Sequence, residues 1–154
     1  MSVLISAFVL GAVCGLRAMV GLAAVSWATN RQQLPLEGTW LSFLGFRFTP
    51  YITSLLALGE IINDKLPKTP SRLVPPQFGA RVVMGALAGT AIGLSHGQLI
   101  LGVLAGIVGS VAGTLGGSKA RAFAAQLFGR DLPAALLEDV LAVALAVVAV
   151  VTLR

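Results

Sequence analysis

Eight side chains able to bind or carry charge stand in stretches that are otherwise apolar: Arg17, Glu60, Asn63, Asp64, Lys119, Arg121, Glu138 and Asp139. Glu60, Asn63 and Asp64 are spaced i, i+3 and i+4, so on a helix their oxygens converge on one face. Such a face can hold a cation or pass a proton. Arg17 lies fourteen residues beyond Val3 inside an apolar run, too deep for its guanidinium to reach headgroup water easily. With Lys119 it could hold an anion. At a bilayer centre each charge costs about 2.5–3.5 kcal/mol, so these groups need partners or enclosed water. Two expectations follow. One is a polar site at mid-depth for a small ion or an anionic solute or headgroup. The other is a set of structural ion pairs, Arg17 with Glu60 and Lys119 with Glu138. Lys119, Arg121 and Asp139 could instead sit at a membrane interface.

Catalytic patterns are mostly absent. The single histidine, His96, falls in an expected turn, and no H-E-x-x-H or G-x-S-x-G occurs. One cysteine, Cys14, excludes an intrachain disulfide and a cysteine-based metal cluster. G-T-L-G-G-S-K-A (113–120) imitates a phosphate-binding loop, but Ser118 precedes Lys119 and Ala120 follows it, so the Lys-Ser/Thr pair is missing. No catalytic residue, metal ligand or cofactor is therefore expected. A lipid-processing enzyme is the weakest of the functional readings.

The elements that must carry these residues are those of a membrane protein. Of 154 residues, 56% are hydrophobic and 11% charged, and the mean hydropathy is +0.91. Soluble domains carry roughly 25% charged residues, so there is too little charge to coat a water-facing surface. The net charge of +5 comes from scattered Lys and Arg without aromatic stacking platforms, which points to lipid headgroups and not to nucleic acid. Spans of about 20 apolar residues cross a bilayer, and five are expected, at about 3–28, 51–66, 82–95, 99–118 and 132–153. The N-terminal stretch lacks a positive region before its apolar run and reads as a retained span. Residues 82–118 carry no formal charge and must turn once, at S-H-G-Q (95–98).

Two linkers have character. Residues 39–48 hold Trp40, Phe43, Phe46 and Phe48, which suits an interfacial or re-entrant segment in the aromatic belt, or a plain loop. Residues 65–77 hold four of the seven prolines and predict a stiff extended loop. With five spans, Lys65, Lys68, Arg72, Arg81, Lys119, Arg121 and Arg130 share the N-terminal side, against Arg31, Arg47 and Arg154 opposite. The positive-inside rule then places the N-terminus in the cytoplasm and the C-terminus outside.

Gly85, Gly89, Gly93 and Gly97 recur every four residues, followed by Gly102, Gly106, Gly109, Gly113 and Gly117. Smooth grooves of this kind let helices approach closely in lipid, within the chain or along the seam of a homodimer. Gly11–Met19 can also be laid over Gly113–Arg121, and Glu60 over Glu138. This suggests an inverted two-helix repeat, spans 1–2 against 4–5, around a glycine-rich connector.

G-A-V-C-G-L-R-A, D-K-L-P-K-T-P-S-R, F-G-A-R-V-V-M-G-A-L-A-G and G-R-D-L-P-A-A-L-L-E-D together resemble a bacterial integral-membrane family catalogued as domain of unknown function 4126. The resemblance covers nearly the whole chain. It implies a small multi-span inner-membrane protein and supplies no site residue. The expectation is thus an all-α membrane protein, probing one domain over 1–154, that serves as a small transporter or channel-like protein, with a dimer favoured. The alternative is a membrane scaffold or accessory subunit whose charges are structural.

Overall fold

The structure is a computed structural model that describes residues 2–153. It contains α1 (Val3–Leu16), α2 (Ala18–Asn30), a short 3₁₀ turn (Ser42–Gly45), α3 (Thr49–Asn63), α4 (Pro75–Ser95), α5 (Leu99–Phe128) and α6 (Asp131–Val151). No strand occurs among the described residues. Three helices, α4, α5 and α6, are long and apolar enough to cross a membrane; at 1.5 Å per residue α4 and α6 are each about 31 Å long. The other three have 13 to 15 residues and reach only about 20 Å.

The expected first span is therefore two helices. At Arg17 the backbone is extended, with φ −144° and ψ 107°, and the chain folds back. A Cβ on Gly21 would strike Cys14 Sγ and lie 3.2 Å from the Leu10 carbonyl oxygen, whereas in one continuous helix Leu10 and Gly21 would be about 16 Å apart along the axis. Two further turns need left-handed glycine: Gly97 (φ +68°) between α4 and α5, and Gly129 (φ +67°) between α5 and α6. Pro75 and Pro76 open α4, where a missing N–H costs nothing. The proline-rich loop accordingly ends at Val74, short of the expected boundary at 77.

Glycine contacts set the directions. Gly11 faces Gly106, Gly15 faces Ser110 and Gly113, and Phe8 faces Gly109, so α1 and α5 run parallel. Gly85 faces Gly106 and Ser110, Gly89 faces Gly102, and Gly93 faces Gln98, so α4 and α5 run antiparallel. A Cβ at Gly85, Gly89, Gly93, Gly102, Gly106, Gly109 or Gly113 would strike backbone or Cβ atoms of a neighbouring helix. Gly117 packs on Leu16 and the Glu138 carboxylate, and Gly97 packs on nothing; its role is the turn. The parallel course of α1 and α5 also separates the fold from the expected inverted repeat. The α1 part of the first segment, Gly11–Leu16, points the same way as Gly113–Ser118 in α5, while units related by an axis in the membrane plane would oppose them.

The bundle thus has two ends. Loop 64–74 and the Gly129 turn form a proline end, rich in Lys and Arg. The start of α1, residues 31–48, the Gly97 turn and the end of α6 form an aromatic end. Val3 therefore lies opposite the basic loops, not beside them as five spans would require; Arg154 is outside the described residues. At the aromatic end Leu34, Leu36, Leu41 and Leu44 are buried against Ala7, Ala28, Ala88 and Ile92, while Trp40, Phe43, Phe46 and Phe48 point outward. Between α2, α3 and α6 an apolar groove of about 480 Å³ opens sideways, lined by Val20, Ala57, Ile61 and Val147 among others.

Candidate functional site

The break at Arg17 leaves two helix ends inside the bundle, and each exposes unpaired backbone groups that a side chain must satisfy. At the end of α1 the carbonyl oxygens of Gly15 and Leu16 accept from Arg81 Nη1 at 2.9 and 2.6 Å, and Gly15 O also accepts from Thr114 Oγ1 at 3.1 Å. At the start of α2 the amides of Ala18 and Met19 donate to the two carboxylate oxygens of Glu60, at 2.9 and 2.8 Å. A cation thus sits at a helix C-terminus and an anion at a helix N-terminus, the arrangement the helix dipole favours.

Around this break lies a layer of ion pairs. Arg17, 0% exposed, donates from Nε to Asp139 Oδ1 at 2.7 Å and from Nη2 to Asp64 Oδ2 at 2.8 Å, with Glu138 3.6 Å away. Arg72 forms a two-pronged pair with Glu138, one bond to Oε1 and one to Oε2 at 2.7 Å. Lys65 pairs with Asp139 and donates to the Ile61 carbonyl at 3.0 Å. Arg121 bridges Asp64 and Asp131, the latter through bonds of 2.9 and 2.6 Å. Arg81 Nη2 lies 3.6 Å from Glu60. Five basic and five acidic groups are engaged, and every helix except the 3₁₀ turn contributes to the layer or borders it.

Arg17, Glu60, Asp64, Arg121, Glu138 and Asp139 are therefore brought together. Lys119 is not: it is exposed on α5 and takes part in none of these pairs among the described residues. The two expected pairings are replaced. Arg17 pairs with Asp64 and Asp139 while Glu60 caps α2, and Glu138 pairs with Arg72 where Lys119 was expected. Asn63 is exposed at the end of α3, where its carbonyl accepts from Thr69 Oγ1. Sequence reasoning missed Lys65, Arg72, Arg81 and Asp131 as members of the layer. For Arg81 a signal existed: it stands four residues before Gly85 and so extends the glycine stripe onto the packed face of α4. Arg72, in an irregular loop, offers no periodicity to read.

Two spaces adjoin the layer. A pocket of about 440 Å³ at the proline end is bounded by Asp64, Lys65, Thr69, Arg72, Ser118, Arg121 and Asp131. Beside it, a smaller pocket of about 40 Å³ is lined by Glu60, Asn63, Asp64, Thr69, Pro70, Arg72, Gln77 and Arg81. Asp64, Thr69, Pro70 and Arg72 line both and form the wall between them. Two guanidinium nitrogens, Arg17 Nη1 and Arg81 Nε, are buried without a hydrogen-bond partner. The arrangement can hold a small charged or polar species against fixed charges and helix ends.

The chain matches, over residues 4–152, the family described as Domain of unknown function (DUF4126), and it belongs to that family. No curated protein and no solved structure matches it.

Proposed function

We propose that this member of the DUF4126 family is a small multi-pass membrane transport protein. It moves a small ion or small anionic solute through the charged layer at the α1–α2 break. One observation carries the reading: a layer of opposed charges, built on two helix ends inside the bundle, adjoins polar spaces toward the proline end and lies beneath packed leucines toward the aromatic end. Interrupted helices whose ends meet charge at mid-depth are how many transporters build a site. The excess of Lys and Arg at the proline end supports, by the positive-inside rule, an orientation with that end in the cytoplasm and both Val3 and Val151 on the outer side. A second copy, pairing as a homodimer, would enlarge the small interior that 154 residues provide.

The test is ion flux into liposomes holding the purified protein. Glu60→Gln and Arg17→Gln should each lower flux at least about tenfold, the equivalent of 1.4 kcal/mol, while the protein keeps its helical content. Unchanged flux in both folded variants would overturn the reading. A second reading, a scaffold or accessory subunit, draws on the observation that each carboxylate of the layer already has a partner. It expects no flux above protein-free liposomes in any variant.

A further inference from the structure

Away from the charged layer, the lateral groove between α2, α3 and α6 joins an apolar trough to a charge at one end. Ala23, Ala24, Ala57 and Ala146 line it, and their small side chains leave the gap. Along α2 it runs from Val20 to Arg31, eleven residues on, or about 16 Å at 1.5 Å per residue. One leaflet of the hydrocarbon core is about 15 Å deep, half of about 30 Å. Since α2 climbs from the charged layer to the aromatic end, the groove spans the leaflet on that side, from mid-depth to the headgroups. Over that length, about 480 Å³ gives a mean cross-section of about 30 Å². A helix, about 10 Å across, is too wide for it. A single hydrocarbon chain fits, because carbons pack at about 4 Å.

Charge marks the outer mouth. Arg31 lines the groove, is exposed, and lies over the Trp27 ring at 5.3 Å. None of the ion pairs among the described residues includes it. Trp27 Nε1 in turn donates to Ser54 Oγ on the facing wall at 3.0 Å, and its ring meets Tyr51 edge-on at 5.2 Å. Aromatic rings of this kind sit at headgroup level. Residues 31–48 carry Arg31 and Arg47 against Glu37 alone, so the charge around the mouth is positive.

We infer that this groove is a binding site for an anionic glycerophospholipid of the bilayer, with one acyl chain along α2 and the phosphate on Arg31. Ser54, beside Trp27, can donate its hydroxyl proton to an ester oxygen below the phosphate. An empty groove forfeits dispersion contacts along its walls, which any acyl chain restores; Arg31 is what selects among headgroups. The site lies apart from the charged layer and goes beyond the transport reading, standing whether or not the chain carries ions.

The test is thermal unfolding of the full chain in detergent, titrated with phosphatidylglycerol against phosphatidylcholine of the same chains. A ligand that binds only the folded state raises its stability in a saturable way. Phosphatidylglycerol should act at about fivefold lower concentration, the equivalent of about 1 kcal/mol for one basic residue facing an anionic lipid. Arg31→Gln should abolish that preference. Val147→Phe, which narrows the groove from its exposed wall, should weaken binding of both lipids. Glycerol phosphate, a headgroup without chains, should have no effect. Phosphatidylglycerol with brominated chains should quench Trp27 in a Trp40→Phe background, and Arg31→Gln should raise the concentration needed; this readout stands if Val147→Phe fails to fold. Equal potency of the two lipids, or an unquenched Trp27, would overturn the inference. So would stabilisation by glycerol phosphate, which makes the ligand a soluble phosphate. A Val147→Phe variant altered in oligomeric state but not in lipid affinity puts a second copy in the groove and equally defeats it. Lipid preference without flux sinks the transport reading alone, and flux without lipid preference sinks this inference alone.

Discussion

Glu138 and Arg72 illustrate what an enclosed ion pair demands of its members. The pair is two-pronged and both side chains are buried, so neither charge has water to fall back on. Removing one member of such a pair costs about 3–5 kcal/mol, whereas replacing both with apolar residues of similar volume is often neutral or better. Glu138→Leu alone should therefore destabilise by about 3–5 kcal/mol, and Arg72→Leu/Glu138→Leu should recover most of that loss. Denaturant unfolding of the four proteins in detergent, closed as a double-mutant cycle, measures it; a double variant as weak as the single one would refute the pairing. At this scale the sequence was readable in part. Arg17, Glu60 and Glu138 stand out because apolar neighbours make a charge conspicuous. Which charge meets which was hidden, because helical spacing relates residues on one helix while these pairs join residues 47 to 122 positions apart.

The helices themselves owe their closeness to glycine, and the glycines are not equivalent. At Gly106 an added Cβ would strike the Gly85 carbonyl oxygen and lie 2.9 Å from the Gly89 Cα, so Gly106→Ala has to push α4 away. Overpacking of this kind costs typically 1–3 kcal/mol. Gly116 on the same helix meets nothing within 4 Å, and there alanine should stabilise by about 0.5–1 kcal/mol through the helix preference alone. Thermal unfolding of the two variants should move in opposite directions; equal shifts would mean that the glycines serve no packing role. The four-residue stripes made α4 and α5 legible in advance, and hydropathy did the same for α6. The α1–α2 break was not legible. No proline stands at residues 16–18, and the groups that hold the ends apart, Glu60 and Arg81, lie 42 and 65 residues away in sequence.

Across the whole molecule, reversal at Arg17 changes how the chain threads the bundle. An even number of traversals puts Val3 and Val151 at one end, opposite Ser71 in the proline-rich loop. Cysteines introduced at Gly38 and Ser71, in a background with Cys14 replaced, should react with a membrane-impermeant thiol reagent from opposite sides, Gly38→Cys from outside. A reporter joined after Val151 should then be active outside the cytoplasm, and labelling of both cysteines from one side would refute this threading. Charge counting survives the change of topology, since the basic residues still segregate; only the chain ends attached to each side differ. The enclosed leucines of residues 31–48 carry a mechanical consequence. Wetting four of them costs about 6–12 kcal/mol, at 1.5–3 kcal/mol each, so residues 31–48 stay docked in the folded state and stopper that end of the bundle with dry side chains.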